Sequence, residues 1–403
     1  MSRSGVEARR TRWRGREACV LANDQVELTH LSGGGQIVDL HFHDAAPMNP
    51  FWIPQWESRD PVCSWEPRDE AAYGPRVTGK LLSAIAGHSL CLGSFGMPSA
   101  EEAQAGVVLH GEAGIRRWEA AAAGNPEHAE WNFTVELPQS GLEFARTVSL
   151  RTGESVVCIS ERIRNRLDVD RFLQWQQHVA LAPPFAETGA CLLSLPGRRG
   201  ITDSSGYEGH ELLAAAAEFD WPVAPGADDA PIDLRMPLHK PGTGLVAGVQ
   251  LNPGLAHGFV CASNLRHKLA FGYVFSRSRF PWVTLWEENR ARSAMPWQAR
   301  EQVCAMEFGV SPLPVGREEM LRRGQIFATP TMARVPAGGE IGATYVMFLA
   351  RLPRDASFIT EIALTQDELY LHDGAGGAVS MVRACGVGSF LCEGSDLRRS
   401  APS

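Results

Sequence analysis

Between residues 130 and 185 strand patterns follow one another with no helical pattern between them, and this block limits the fold of the 403-residue chain more than any other segment. WNFTVELP, LEFARTVSLRTGESVVCISERIRN and DRFLQWQQHVAL read as successive strands, with a turn at ArgThrGlyGlu. Leu142, Phe144, Arg146, Val148 and Leu150 share one face of the second segment, while Glu143, Thr147 and Ser149 share the other. This is the two-residue period of a half-buried strand. Similar segments precede the block (CVLAN, QVELTHL and QIVDLHFHD, around the glycines Gly33 to Gly35) and follow it from GLVAGVQL to FITEIALTQDELYL. One short helix is expected, GHELLAAAAEF, inside a polar stretch from about 186 to 243. Many strands, few helices and no strand–helix–strand alternation imply an all-β fold, a large antiparallel β-sandwich.

The strand patterns also divide the chain. Residues 1–17 hold six arginines and read as a flexible Arg-rich arm, residues 18–372 as the sandwich, and residues 373–403 as a Gly- and Ser-rich tail. Between 51 and 104 the pattern dissolves into Trp, Pro, Ser and acidic residues. Trp52, Trp56 and Trp65 within fifteen residues argue for an ordered loop that covers a site, because indole rings seek packing partners.

Composition narrows the function. A formal charge of -8 argues against a nucleic-acid partner, which selects for basic surfaces. No segment reaches the length of a membrane span. Nine scattered cysteines without metal or redox spacing fit reduced thiols in a cytoplasmic protein. Gly33 to Gly35 lack a phosphate-loop frame, and Ser94 lacks a nucleophile elbow. His41 and His43 could share a metal with Asp39 but have no further spaced ligand, so they read as surface histidines, with no metal and no cofactor. A small, weakly charged molecule is the expected ligand.

Three segments carry candidate chemistry. In GVVLHGEAGIRRW, His110 precedes a glycine that can turn its ring outward, with Glu112, Arg116 and Trp118 nearby. In FLQWQQHVAL, alternation sets Phe172, Gln174, Gln176 and His178 on one face, a polar surface suited to a sugar. In QVCAMEFG, Glu307 follows an apolar run, where a carboxylate is either paired or used as an acid or base. Trp286, followed by Glu287 and Glu288, is the best aromatic candidate for stacking on a sugar, and either glutamate is a fallback base.

With the opening segment LANDQVELTHLSGGGQIVDLHF, these pieces resemble the aldose 1-epimerase (galactose mutarotase) superfamily over about residues 18 to 366. The resemblance implies a mutarotase-like supersandwich and a small-molecule carbohydrate as partner. It also implies interconversion of sugar anomers by acid–base ring opening, with no cofactor. His178 would be the catalytic acid, Glu307 the base, and His110 a substrate contact, with Gln176, Trp286 and Glu287 beside them. The chain departs from the family in lacking an Asn-Arg pair ahead of His110, and in reading Gln177-His178-Val179-Ala180-Leu181 at the second motif. A non-catalytic carbohydrate-binding protein of the same fold is the alternative.

Overall fold

The computed structural model describes residues 5–44, 48–203, 206–207, 209–374 and 377–396. Two large sheets dominate it, one 12-stranded and one 8-stranded, every neighbouring pair antiparallel. The strands of the central block are neighbours in sequence yet divide between the sheets. His128–Leu137, Leu142–Arg151 and Val156–Asn165 pair in the second sheet, and Arg171–Leu181 crosses to the first. Leu142, Phe144, Arg146, Val148 and Leu150 all point into the interior, as their alternation requires. The chain is an antiparallel β-sandwich.

Strand Arg171–Leu181 lies near the middle of the first sheet, between His88–Gly93 and Gln302–Gly309. Its residues Leu173, Trp175 and Val179 join the apolar core between the sheets, and Ala180 joins a separate aromatic cluster on the opposite face. Within the core, Glu161 binds a buried set of polar side chains. Its Oε1 accepts from Arg146 Nε at 2.8 Å and from the Tyr345 hydroxyl at 2.7 Å, and its Oε2 from Gln177 Nε2 at 2.7 Å and Trp175 Nε1 at 3.1 Å. A buried charge pair is tolerable only when its remaining lone pairs are satisfied in this way.

Four sequence expectations are corrected. Glu7–Trp13 is not a free arm: it pairs with Arg16–Ala22 along its whole length, from Glu7 opposite Ala22 to Trp13 opposite Arg16, around a turn with Arg14 and Gly15 both at positive φ. Its arginines find partners, Arg9 on Glu27 and Arg10 over the Trp131 ring, so charge density masked a strand. The segment 209–219 forms no helix. Leu212 N binds Gly244 O and Ala214 N binds Pro225 O, so tertiary hydrogen bonds override its alanine content.

The tail boundary at 372 falls inside a strand. Ile359–Leu364, Glu368–Asp373 and Ala378–Arg383 form a small sheet that, with helix Val387–Asp396, covers Phe259, Val274, Val346 and Phe348 on the outside of the second sheet. Residues 375–376 and 397–403 of that tail lie outside the described residues, as do 1–4 of the arm. Finally, the stretch 51–104 is ordered by helices Pro67–Tyr73, Arg76–Leu82 and Ala100–Gln104 and by strand His88–Gly93, which the sequence reading missed. Among the described residues no helix is long and apolar enough to cross a membrane.

Candidate functional site

The register of the first sheet sets a row of side chains across its outer face. Gln177 pairs with Phe308 and Ala180 with Ala305, which brings His178 and Glu307 side by side on adjacent strands. Glu307 in turn pairs with Thr284 of strand Trp282–Asn289. His178, Glu307 and Thr284 line one cavity of about 660 Å³. His178 Nε2 and Glu307 Oε1 are 3.9 Å apart, and the two residues are only 3% and 2% exposed. The pair lies on the cavity wall and outside the apolar core between the sheets.

His110 completes the group, its ring centroid 5.2 Å from that of His178. It is carried on a tight turn, where His110 has φ 65° and Gly111 φ 81°. A Cβ on Gly111 would collide with the Leu92 carbonyl, so the turn can sit against strand His88–Gly93 only with glycine there. His110 Nδ1 lies 2.6 Å from the Phe95 carbonyl. A carbonyl only accepts, so Nδ1 carries the hydrogen and Nε2 is left as an acceptor in the neutral ring. Glu112 and Arg116 serve elsewhere: they pair at 3.0 Å, and Glu112 accepts the Ser140 N–H at 2.9 Å.

Burial governs the charges. It drives the Glu307 carboxyl well above its usual range, with no cation opposing the shift. It drives His178 well below the usual imidazole value, and the neighbouring His110 adds to the effect. His110 is pushed down to about 4, against the hydrogen bond to Phe95. Burial therefore works against an ionised Glu307 beside a protonated His178 and toward a neutral carboxylic acid facing a neutral imidazole. Glu307 Oε2 is buried and has no hydrogen-bond partner among the described residues. Buried polar atoms without a partner are uncommon in folded proteins and point to a ligand or solvent.

Aromatic rings build the next wall. Trp286 stands with its ring centroid 5.5 Å from His178, and its Nε1 donates to the Tyr207 hydroxyl at 2.6 Å. Trp297 stacks on Trp52, with centroids 5.8 Å apart and planes within 4°. The Arg292 guanidinium lies over Tyr207 at 4.4 Å and Trp297 at 5.1 Å, and donates to Glu288 at 3.2 Å. The 51–109 segment also lines the cavity, with Tyr73, Leu81, Ile85 and Leu109.

Of the residues singled out by sequence, His110, His178, Trp286 and Glu307 thus converge on one cavity. Gln176 and Glu287 do not line it. Gln176 is fully buried and spends its amide on the Ser311 backbone, donating to the carbonyl at 2.8 Å and accepting the N–H at 3.1 Å. Glu287 is held by the backbone N–H groups of Leu238 and His239 and by His239 Nδ1, each within 2.9 Å. Glu288 anchors the 291–292 backbone as well as the Arg292 side chain, which removes it as a fallback base. The sequence reading missed Phe95, Tyr207, Thr284 and Arg292. Arg292 alone left a trace, as an arginine four residues after Glu288 in a Trp-rich segment.

No sequence-family model matches the chain, and no curated protein matches it in sequence. Solved structures do match. A proposed aldose 1-epimerase from Klebsiella pneumoniae superposes with a TM-score of 0.59 at 14% identity, covering 96% of this chain and 85% of its own. A galactose mutarotase-like protein from Clostridium acetobutylicum gives 0.56 at 11% identity, covering 86% and 99%. A galactose mutarotase-related enzyme from Lactobacillus acidophilus gives 0.51 at 11%, covering 82% and 97%. The chain therefore has the galactose mutarotase-like fold, at a distance where only the fold is shared by demonstration.

Proposed function

We propose that the cavity binds a carbohydrate and that Glu307 and His178 interconvert its anomers by opening and closing the ring. The observation that carries this reading is the His178–Glu307 pair, two acid–base groups 3.9 Å apart in one buried cavity with an unpartnered carboxyl oxygen. The likeness in fold to a proposed aldose 1-epimerase and to galactose mutarotase-like proteins supports it.

The chemistry needs one proton shared by the two groups. In the neutral state Glu307 gives its proton to the ring oxygen while His178 takes that of the anomeric hydroxyl, so the ring C–O bond breaks and the anomeric carbon becomes a carbonyl. The pair is now carboxylate and imidazolium. Rotation about the neighbouring C–C bond presents the other carbonyl face. On closure Glu307 takes back the hydroxyl proton and His178 returns its own to the carbonyl oxygen. The roles inferred from the family resemblance, Glu307 as base and His178 as acid, correspond to the other placement of the same proton. His110, accepting through Nε2, would orient a sugar hydroxyl, and Trp286 would stack on a C–H face.

The aromatic wall formed by Trp286 and Trp297 would hold either anomer alike, which favours a second reading, a carbohydrate-binding protein without turnover. A mutarotation assay by polarimetry or NMR over a panel of aldoses, run beside ligand-induced thermal shifts, separates the two. Catalysis of anomer exchange supports the first reading; binding without rate enhancement selects the second.

A further inference from the structure

A second cavity, of about 930 Å³, lies outside the carbohydrate site. Its walls are Arg277 to Arg279 after strand Leu269–Ser276, the short hairpin Gln325–Ile326/Thr329–Pro330, and the segment 332–341. Its size falls within the range of small-molecule sites, about 300 to 1,000 Å³. Two observations mark it as more than a surface fold.

The first is Arg277. Among the described residues its side chain has no ion pair and no hydrogen bond, and its Nε is buried without a partner. Burial alone lowers its pKa, with no acidic neighbour acting against it. The other charges facing the cavity are engaged: Arg334 holds Asp170 at 2.6 Å, and Glu340 stands 3.7 Å from Arg162. Arg279 lines the same wall. A guanidinium partly deprived of water gains from an anion that can take its planar donors.

The second is the hairpin. Phe327 and Ala328 occupy both central turn positions at φ 49° and 55°, a conformation that favours Asn and Gly. Non-glycine residues held there are strained, and such strain concentrates where structure serves a ligand. The turn is pinned: Gln250 Nε2 donates to the Phe327 carbonyl at 2.9 Å, and the Arg199 guanidinium lies 4.0 Å from the Phe327 ring centroid. The turn thus places Phe327 and Ala328 on the wall of the cavity that Arg277 also lines.

We infer that this cavity is a second ligand site, taking a small organic anion whose carboxylate or phosphate sits on Arg277 while its carbon body packs against Phe327, Pro281 and Met332. It is independent of the carbohydrate reading, because neither His178 nor Glu307 lines it.

The test is calorimetric titration of the whole chain with inorganic phosphate, with benzoate and with benzamide as the neutral control, on wild type, Arg277→Gln and Arg277→Lys. Saturable binding of at least one anion is expected, weakened about tenfold or more in Arg277→Gln, with the unliganded melting temperature and any mutarotation rate unchanged. Response to phosphate alone assigns a phosphate group, and to benzoate alone a carboxylate. Arg277→Lys keeps the charge and loses the planar fork, so it should fold and bind several-fold more weakly; it decides the matter if Arg277→Gln does not fold. Absence of saturable anion binding by wild type, or equal binding by wild type and both variants, overturns the inference.

Discussion

Gln177 and His178 are consecutive residues that face opposite sides of one strand. Gln177 donates to Glu161 at 2.7 Å inside the sandwich, while His178 lines the cavity of about 660 Å³ on the outer face. The buried polar set around Glu161 therefore holds, from behind, the strand that presents His178.

Removing one member of that set should be costly to the whole fold. Glu161→Ala leaves Arg146 as an uncompensated charge, since both side chains are fully buried and their closest approach is 2.7 Å. Breaking a buried pair from one side typically costs about 3 to 5 kcal/mol. Denaturant unfolding should show a loss of that order; a loss below about 1 kcal/mol would mean the network does not support the strand.

Glu307 should be a stability liability at high pH. Its folded-state pKa is raised well above the ordinary value of 4.5. The associated stability is complete below that value and is lost as the pH climbs through the folded one. Glu307→Gln removes this dependence, so its melting temperature should equal that of wild type near pH ~4 and exceed it at about pH 8 to 9. Parallel curves for the two proteins across that range would contradict the assignment.

The acid–base pair also sets the rate profile. The singly protonated pair is lost on the acid side when His178 takes a proton, below its ordinary value of 6.5, and on the alkaline side when Glu307 ionises, above 4.5. Mutarotation kcat/KM should trace a bell whose limbs belong to the pair and not to either residue. A single limb centred at the ordinary value of 6.5 would show an ordinary, solvated histidine.

Gly111→Ala tests how His110 is delivered. The substitution puts a Cβ into the Leu92 carbonyl at a positive φ, so the turn must shift. A stability loss of about 1 to 3 kcal/mol is expected, together with a raised KM from the displaced His110 ring. Unchanged KM would remove His110 from substrate contact.

How much of this was legible in the sequence depends on how far each signal reached along the chain. Alternation exposed the sandwich and the cavity face of Arg171–Leu181, because a two-residue period is written locally. It also promised that Gln176 would share the sugar surface with His178, and there it failed: the Ser311 backbone, 135 positions away, claims the Gln176 amide. Arginine content hid the strand Glu7–Trp13, whose partners Glu27 and Trp131 are remote in sequence. The tryptophans of 51–104 announced an ordered segment over a site, and Tyr73, Leu81 and Ile85 line the cavity, but its helices and the approach of Arg292 were not legible, since the segments that meet there do so by tertiary packing. The protonation of His178 and Glu307 reversed expectation because burial, which no short motif encodes, outweighs the charge either could lend the other.

The proposed role of the His178–Glu307 pair is tested by the rate of anomer exchange, followed by NMR on freshly dissolved aldoses, for wild type, His178→Ala and Glu307→Gln. Wild type should accelerate exchange of at least one sugar, and each variant, still folded, should lose about 10²- to 10⁴-fold of that rate, the usual contribution of one acid–base group. Wild-type rates in both folded variants would contradict a role for the pair in catalysis.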